Sequence, residues 1–455
     1  MGADVTPLLG AQRTVFARRW WLLTIFSLLA IGQSAAWTFY SPVSGVVKQI
    51  YPDWDDYLIE WFANLAGMTF TVVVPLFAAL IDTRGVRLAV VTSAASLVAC
   101  TGLRLIPVGL DKAKYMILAS MVFNGISGAP ICISPPLLSA LWFPVHERTT
   151  ATAITTTANY LGQAVGFYWG PAMLPMLPNS TATCPPNASF VAASRVRLDS
   201  LYTWQLVCAA VVLLGIVCYF PNAPPTAPTE AAQTPKTEFV SGLRQLATHG
   251  PFLRVLLAFS LPLGWWSGWM IALNLFLARI NISQNDASLI GALQIICGCI
   301  VGVSMGLVSD RLAGSYTRLI IPMYLAACLM FLWFACMFQG LIPLHLPSVY
   351  IACIAGSALM NATIPLFYEL AMETVFPIGE GSAAGALVLF QNLLQSVFLV
   401  IPLKTTGVDW MAWSLSLIIM VCTIPLVFGF HEEQHRRARD CADTDKLALP
   451  VGPDA

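Results

Sequence analysis

Long apolar blocks alternate with short polar breaks along almost the whole chain. A helix that crosses hydrocarbon needs about 20 mostly apolar residues. Twelve blocks meet that requirement, at 20–46, 58–81, 87–107, 114–140, 150–176, 202–220, 253–279, 287–309, 318–338, 348–372, 383–403 and 410–430. The first is too long for a cleaved signal peptide and lacks a small-residue cleavage site after a short core. One long break interrupts the series at residues 221–252, which are polar and carry Pro221, Pro224, Pro225, Pro228 and Pro235. That stretch reads as a linker. The pattern predicts an all-α membrane protein with 12 transmembrane helices in two six-helix halves, 20–220 and 253–430. Tails 1–19 and 431–455 flank them.

Composition confirms lipid as the solvent. Charged residues make up 10% and hydrophobic ones 57%, with mean hydropathy +0.74. A soluble domain carries about a quarter charged residues. Lys+Arg and Asp+Glu are 23 each, so no basic field exists to hold nucleic acid. With the N-terminus in the cytoplasm, 15 Lys and Arg fall on the cytoplasmic side and 8 on the other, which sets the orientation. An even number of spans returns the C-terminus to the cytoplasm. Sequons at Asn179 and Asn187 fall in the loop after the fifth span, on the non-cytoplasmic side, and are the candidate glycosylation sites. Of 12 cysteines only Cys184 lies in a long polar loop, so no disulfide framework is expected.

The halves echo each other. Asp82-Thr83-Arg84-Gly85-Val86-Arg87 follows the second span, and Asp310-Arg311 follows the eighth at an offset of 228. Phe143-Pro144 and Phe376-Pro377 stand 233 apart, as do Asn159 and Asn392. Such internal repeats build many transporters. In the short Asp82 loop, Gly85 can take left-handed backbone angles. Asp82 can pair with Arg84 or Arg87, or face a helix N-terminus across the half-interface. Such a charge latch can be made in one conformation and broken in another.

Leu80–Arg87 resembles the signature loop of the major facilitator superfamily. Further segments are similar to the feline leukaemia virus subgroup C receptor-related family, solute carrier family 49: Arg18-Arg19-Trp20, Trp37 with Tyr40-Ser41, Ala140–Pro144 and Glu369–Thr374 through Pro377 to Gly381. Thr101–Arg104 with Pro107, Pro262–Gly264 with Trp269, and Pro7–Gly10 look most like its lysosomal branch, disrupted in renal carcinoma protein. The resemblance implies alternating access around a central cavity lined by helices 1 and 7. It also implies proton-linked, pyridoxine-type transport.

The candidate chemistry follows from costly intramembrane groups. Glu369 and Glu373 are one helical turn apart on the tenth span. A carboxylate there can load and release a proton, neutralise a cationic substrate, or form a gate salt bridge with Arg148 or Arg84. Trp37 and Tyr40 sit in the second half of the first span; Trp265 and Trp269 share a face of the seventh. Aromatic faces can cage an organic cation or stack a planar ring. Choline-handling relatives have a glutamine at Tyr160 and a tyrosine at Ser267, and both departures argue against choline. Asn159, Tyr160 and Gln163 instead offer hydrogen bonds beside a ring, and Gln391 is a further polar candidate on the eleventh span. Arg104, at the end of the third span, reads as a snorkelling anchor.

No P-loop, HExxH pair or GxSxG elbow occurs, so neither an enzyme nor a metal or cofactor is expected. Asp4 with Leu8-Leu9 fits an acidic dileucine signal that a clathrin adaptor reads, which points to the lysosomal membrane, with the plasma membrane as the alternative. The expected protein is a monomeric secondary transporter, its partners the lipid bilayer, a small-molecule substrate and protons. Alternatives are a choline/ethanolamine or haem transporter at the plasma membrane, or a non-transporting nutrient sensor.

Overall fold

A computed structural model describes residues 16–174, 188–226, 239–312, 315–400, 409–428 and Arg436. Among the described residues, regular structure is helical throughout. The N-terminal half comprises α1 (Arg18–Thr38), α2 (Ser44–Ile50), α3 (Asp56–Arg84), α4 (Val86–Leu103), α5 (Leu110–Ile133), α6 (Pro135–Trp142), α7 (Arg148–Met173) and α8 (Ala188–Cys218). After a short α9 (Phe239–Thr248), the C-terminal half comprises α10 (Gly250–Arg279), α11 (Gln284–Arg311), α12 (Tyr316–Phe338), α13 (Leu346–Val375), α14 (Glu380–Val400) and α15 (Asp409–Phe428).

Eleven of these helices are long and apolar enough to cross a membrane. The twelfth span is α7, whose Thr149, Thr150, Thr152, Thr155, Thr156 and Thr157 lower its hydropathy. Its first part, from Arg148 to Ala158, is largely buried, while Leu161, Phe167 and Tyr168 further along are exposed. Its threonines also satisfy themselves: Thr155, Thr156 and Thr157 donate to the carbonyls of Ala151, Thr152 and Ala153, one turn back.

Four expected boundaries differ. The first block, 20–46, divides into α1 and α2 around Pro42, which cannot continue a helical ladder. The fourth, 114–140, divides at Ser134 because Pro135 and Pro136 supply no N–H. The sixth span begins at Ala188 rather than 202, since the polar run through Arg195 and Asp199 is helical. The linker contains α9, whose Leu246 is buried and whose Gly242 lies against Ile378.

Small residues set how closely the helices approach. A Cβ on Gly162 would lie 2.4 Å from the Ile31 carbonyl oxygen, and one on Gly125 2.4 Å from that of Ala66. Only glycine permits those α1–α7 and α3–α5 contacts. At the α3–α4 turn Gly85 has φ +85°, and a side chain there would strike Asn222. The Asn222 side chain accepts from the Arg87 N–H at 2.8 Å, tying the end of the first half to this turn.

Candidate functional site

The cytoplasmic ends of the halves are held by two matching contacts. Asp82, near the end of α3, accepts from the N–H groups of Gly381 (2.9 Å) and Ser382 (2.8 Å) and from the Ser382 hydroxyl. Asp310, near the end of α11, accepts from the N–H groups of Thr149 (3.0 Å) and Thr150 (2.8 Å) and from the Thr150 hydroxyl (2.6 Å). Each carboxylate therefore occupies the N-terminus of a helix in the opposite half, where unsatisfied N–H groups and the helix dipole favour negative charge. Of the partners open to Asp82, the structure uses the helix terminus. Arg84 and Arg87 have exposed side chains. Glycines at 379 and 381 make room, since a Cβ on either would lie within 2.7 Å of the Asp82 carboxylate.

Deeper in, the closure continues through side chains. Glu369 on α13 is 0% exposed. Its Oε1 accepts from the Thr152 hydroxyl of α7 at 2.7 Å and from the Ser139 hydroxyl of α6 at 3.3 Å. Arg436 places Nη1 3.7 Å from its Oε2. Arg148 and Glu373, both buried, also act on this carboxylate electrostatically. Two more bonds join the halves above it: Tyr368 donates to the Cys132 carbonyl at 2.9 Å, and the Cys299 thiol to the Thr157 carbonyl at 3.4 Å. The halves are thus sealed from the cytoplasmic ends to Thr157.

Immediately beyond this seal lie the polar and aromatic candidates. Tyr160 is eight residues from Thr152 on α7, a rise of about 12 Å. Its ring stands 6.4 Å from Trp266, centroid to centroid, and the Gln391 side chain is near enough to act on its hydroxyl. Gln391 in turn lies 3.5 Å from the Ser267 hydroxyl. Asn159 donates to Gln33 at 3.4 Å, and Gln33 donates to Asn124 at 2.9 Å. Trp37 is partly buried and packs edge-on to Phe70, with Gly67 under its ring. Gln163 is partly exposed one turn beyond Asn159. Trp37, Asn159, Tyr160, Gln163 and Gln391 all keep some exposure.

Three expected cage members point elsewhere. Trp269 is 0% exposed, edge-on to Phe331 and Phe334 inside the second half. Trp265 donates to Ser414 and packs on Phe398 and Trp410. Trp266, between them on α10, is the one beside Tyr160 and donates to Ser357. Tyr40 is buried against Tyr202, their hydroxyls 2.8 Å apart. Arg104 is no snorkelling anchor: it is 7% exposed, stacked on Tyr40 and Tyr202, and bonded to Ser120, Gln205 and the Ala36 carbonyl. It edges a cavity of about 290 Å³ with Tyr51, Met116, Arg195 and Asp199, distinct from the Tyr160 cluster. Asp4, Leu8, Leu9, Asn179 and Asn187 lie outside the described residues. Among the described residues no group of three His, Cys, Asp or Glu side chains could hold a metal ion.

This architecture of two joined six-helix halves has a family. Residues 26–399 match the model of the Major Facilitator Superfamily. The chain belongs to that superfamily. Within it, the chain is 32% identical over 429 residues to the solute carrier family 49 member 4 homolog of Xenopus tropicalis, covering 90% of this chain and 91% of that protein. It is therefore a solute carrier family 49 protein, a multi-pass membrane transporter and not an enzyme. It is also 22% identical to the choline/ethanolamine transporter FLVCR1 of Mus musculus, over 89% of this chain and 73% of that one. In fold it is similar to the E. coli fucose:proton symporter FucP, with TM-score 0.68 at 12% identity, covering 89% of this chain and 98% of that one.

Several residues of this transporter were not singled out from sequence. Gln33, Asn124, Ser139 and Thr152 are polar and buried, yet serine and threonine in apolar blocks usually bond their own helix. Arg436 sits in a charged tail, where nothing in the pattern signals burial. The polar side chains of Gln33 and Asn124 inside apolar spans were the available signal.

Proposed function

We propose that this transporter moves a small organic metabolite, a pyridoxine-like vitamin or an organic cation, together with a proton by alternating access. Glu369 carries the reading. It is a fully buried carboxylate shared between the halves, 2.7 Å from the Thr152 hydroxyl. A proton on Glu369 removes its charge and changes what that contact contributes to the sealed state, so protonation and opening are linked. The substrate would sit at Trp37, Asn159, Tyr160, Gln163, Trp266 and Gln391, just beyond the seal. Tyr160 supplies a ring and a hydroxyl, Trp37 and Trp266 supply faces, and the amides supply directed hydrogen bonds. That set suits a planar hydroxylated ring.

Choline or ethanolamine transport is the second reading, favoured by the similarity to choline/ethanolamine transporters. Purified protein in liposomes, tested with radiolabelled pyridoxine, choline and haem under an imposed pH gradient, separates the two. We expect gradient-driven pyridoxine accumulation that fails in Glu369→Gln and weakens in Trp37→Ala. Unchanged uptake in both variants overturns the site, and binding without flux favours a sensor.

The address we propose is the lysosomal membrane, through Asp4, Leu8 and Leu9 bound by a clathrin adaptor. Leu8→Ala with Leu9→Ala should shift the protein to the plasma membrane. Glycans on Asn179 and Asn187 would place that loop in the lumen, and a mass shift with N-glycanase tests them.

A further inference from the structure

Arg436 lies eight residues beyond Phe428, the end of α15, yet it is 1% exposed. An arginine in a polar tail ordinarily keeps its guanidinium hydrated. Burying that charge is costly unless an opposite charge meets it. Here Arg436 Nη1 is 3.7 Å from Glu369 Oε2, while Glu369 Oε1 accepts from Thr152 and Ser139. One carboxylate of the second half thus takes hydroxyls of the first half on one oxygen and a tail cation on the other. Among the described residues, Arg148 of α7, Glu373 of α13 and Tyr316 of α12 also act here.

We propose that Arg436 is a built-in counter-cation to Glu369 that holds the cytoplasmic side shut. In this arrangement the contact is buried together with the Thr152–Glu369 bond. Parting the halves hydrates both Glu369 and Arg436, and the tail arginine then contributes nothing. Removing its charge leaves the buried carboxylate less compensated in the sealed state alone, which favours opening. The proposal rests on Glu369 as an element of the closure and is independent of which substrate is carried.

Hydrogen exchange on the full chain in lipid nanodiscs tests it without any substrate. The amides of Thr149, Thr150, Gly381 and Ser382 report the seal, because Asp310 and Asp82 protect them. Arg436→Gln should speed their exchange by about tenfold, a usual size for coupling between sites. Arg436→Lys, which keeps the charge, should stay close to the unaltered protein. In a Glu369→Gln background Arg436→Gln should not speed exchange further, because the cation then has no carboxylate to compensate. Unchanged exchange in Arg436→Gln, or the same acceleration with and without Glu369, overturns the proposal. If Arg436→Gln alone does not fold, the double variant, which leaves no lone charge at this pair, is compared with Glu369→Gln. Faster exchange in the double then refutes the pairing, and equal or slower exchange upholds it. Lost transport in the uptake panel with these exchange results intact would remove the substrate reading and leave the latch standing.

Discussion

The Thr152 hydroxyl donates to Glu369 over 2.7 Å, and the two side chains belong to different halves of the molecule. The bond must break whenever the cytoplasmic side opens. Glu369→Gln keeps an acceptor for Thr152 but cannot carry a proton. It should lose accumulation driven by a pH gradient by tenfold or more (roughly 1.4 kcal/mol per factor of ten) while retaining substrate counterflow. Thr152→Val removes a bond to a charged group, worth about 1.5–3 kcal/mol. It should open the cytoplasmic side more often and leave proton dependence in place. Counterflow and gradient-driven uptake, measured on the same liposomes, check both; equal loss of the two activities in Glu369→Gln would rule out a coupling role.

Asp82 and Asp310 do the same work in the two halves, each on a pair of N–H groups at the start of a helix across the interface. Asp82→Asn keeps an oxygen but loses the charge–dipole attraction, about 0.3–1 kcal/mol at an exposed site and up to ~2 kcal/mol in a partly buried one. Both Asp82→Asn and Asp310→Asn should raise amide exchange at their partner residues, by comparable factors. The double variant should exceed either one, since both contacts bias one opening. A large effect from one aspartate and none from its counterpart would refute the symmetric latch.

The spans, their halves and the latch loop were legible because lipid imposes a coarse, strong pattern: long apolar runs, short turns, and charges only at the ends. Gly85 and Asp82 stood out for the same reason. Helix rotation was not legible. Trp265 and Trp269 share a face, but which face meets the other half depends on packing, and Trp266 is the one that reaches Tyr160. Arg104 misled because an arginine at a span's end usually reaches water. Here Ser120, Gln205 and a carbonyl offer it better partners. Arg436 was invisible because burial of a tail residue is a tertiary fact with no local signature.

Arg104 organises the non-cytoplasmic end of the first half. Its guanidinium stacks 5.2 Å from the Tyr40 ring and 5.9 Å from that of Tyr202. Arg104→Lys keeps the charge but cannot spread donors over Ser120, Gln205 and the Ala36 carbonyl at once. A loss of about 2–4 kcal/mol is expected, as for breaking a buried hydrogen-bonded charge network. The readout is the melting temperature in detergent. Tyr40→Phe should cost less, and its effect should shrink once Arg104 is replaced, because the two share one cluster.

Trp266 and Trp269 are three residues apart on α10 and should separate cleanly in function. Trp269 is enclosed by Phe331 and Phe334, so Trp269→Ala opens a cavity inside the second half. That change should cost about 3–5 kcal/mol of stability with little change in the KM of whichever substrate the uptake panel identifies. Trp266 faces Tyr160 across the interface and is oriented by its bond to Ser357, which itself donates to Gln294. Trp266→Phe preserves most of the volume but frees the ring from Ser357. It should raise KM by about tenfold, the equivalent of one hydrogen bond, with only a small fall in melting temperature. Melting curves and uptake kinetics on the two variants decide the matter. A KM change in Trp269→Ala with unaltered melting would place that tryptophan in the substrate path instead.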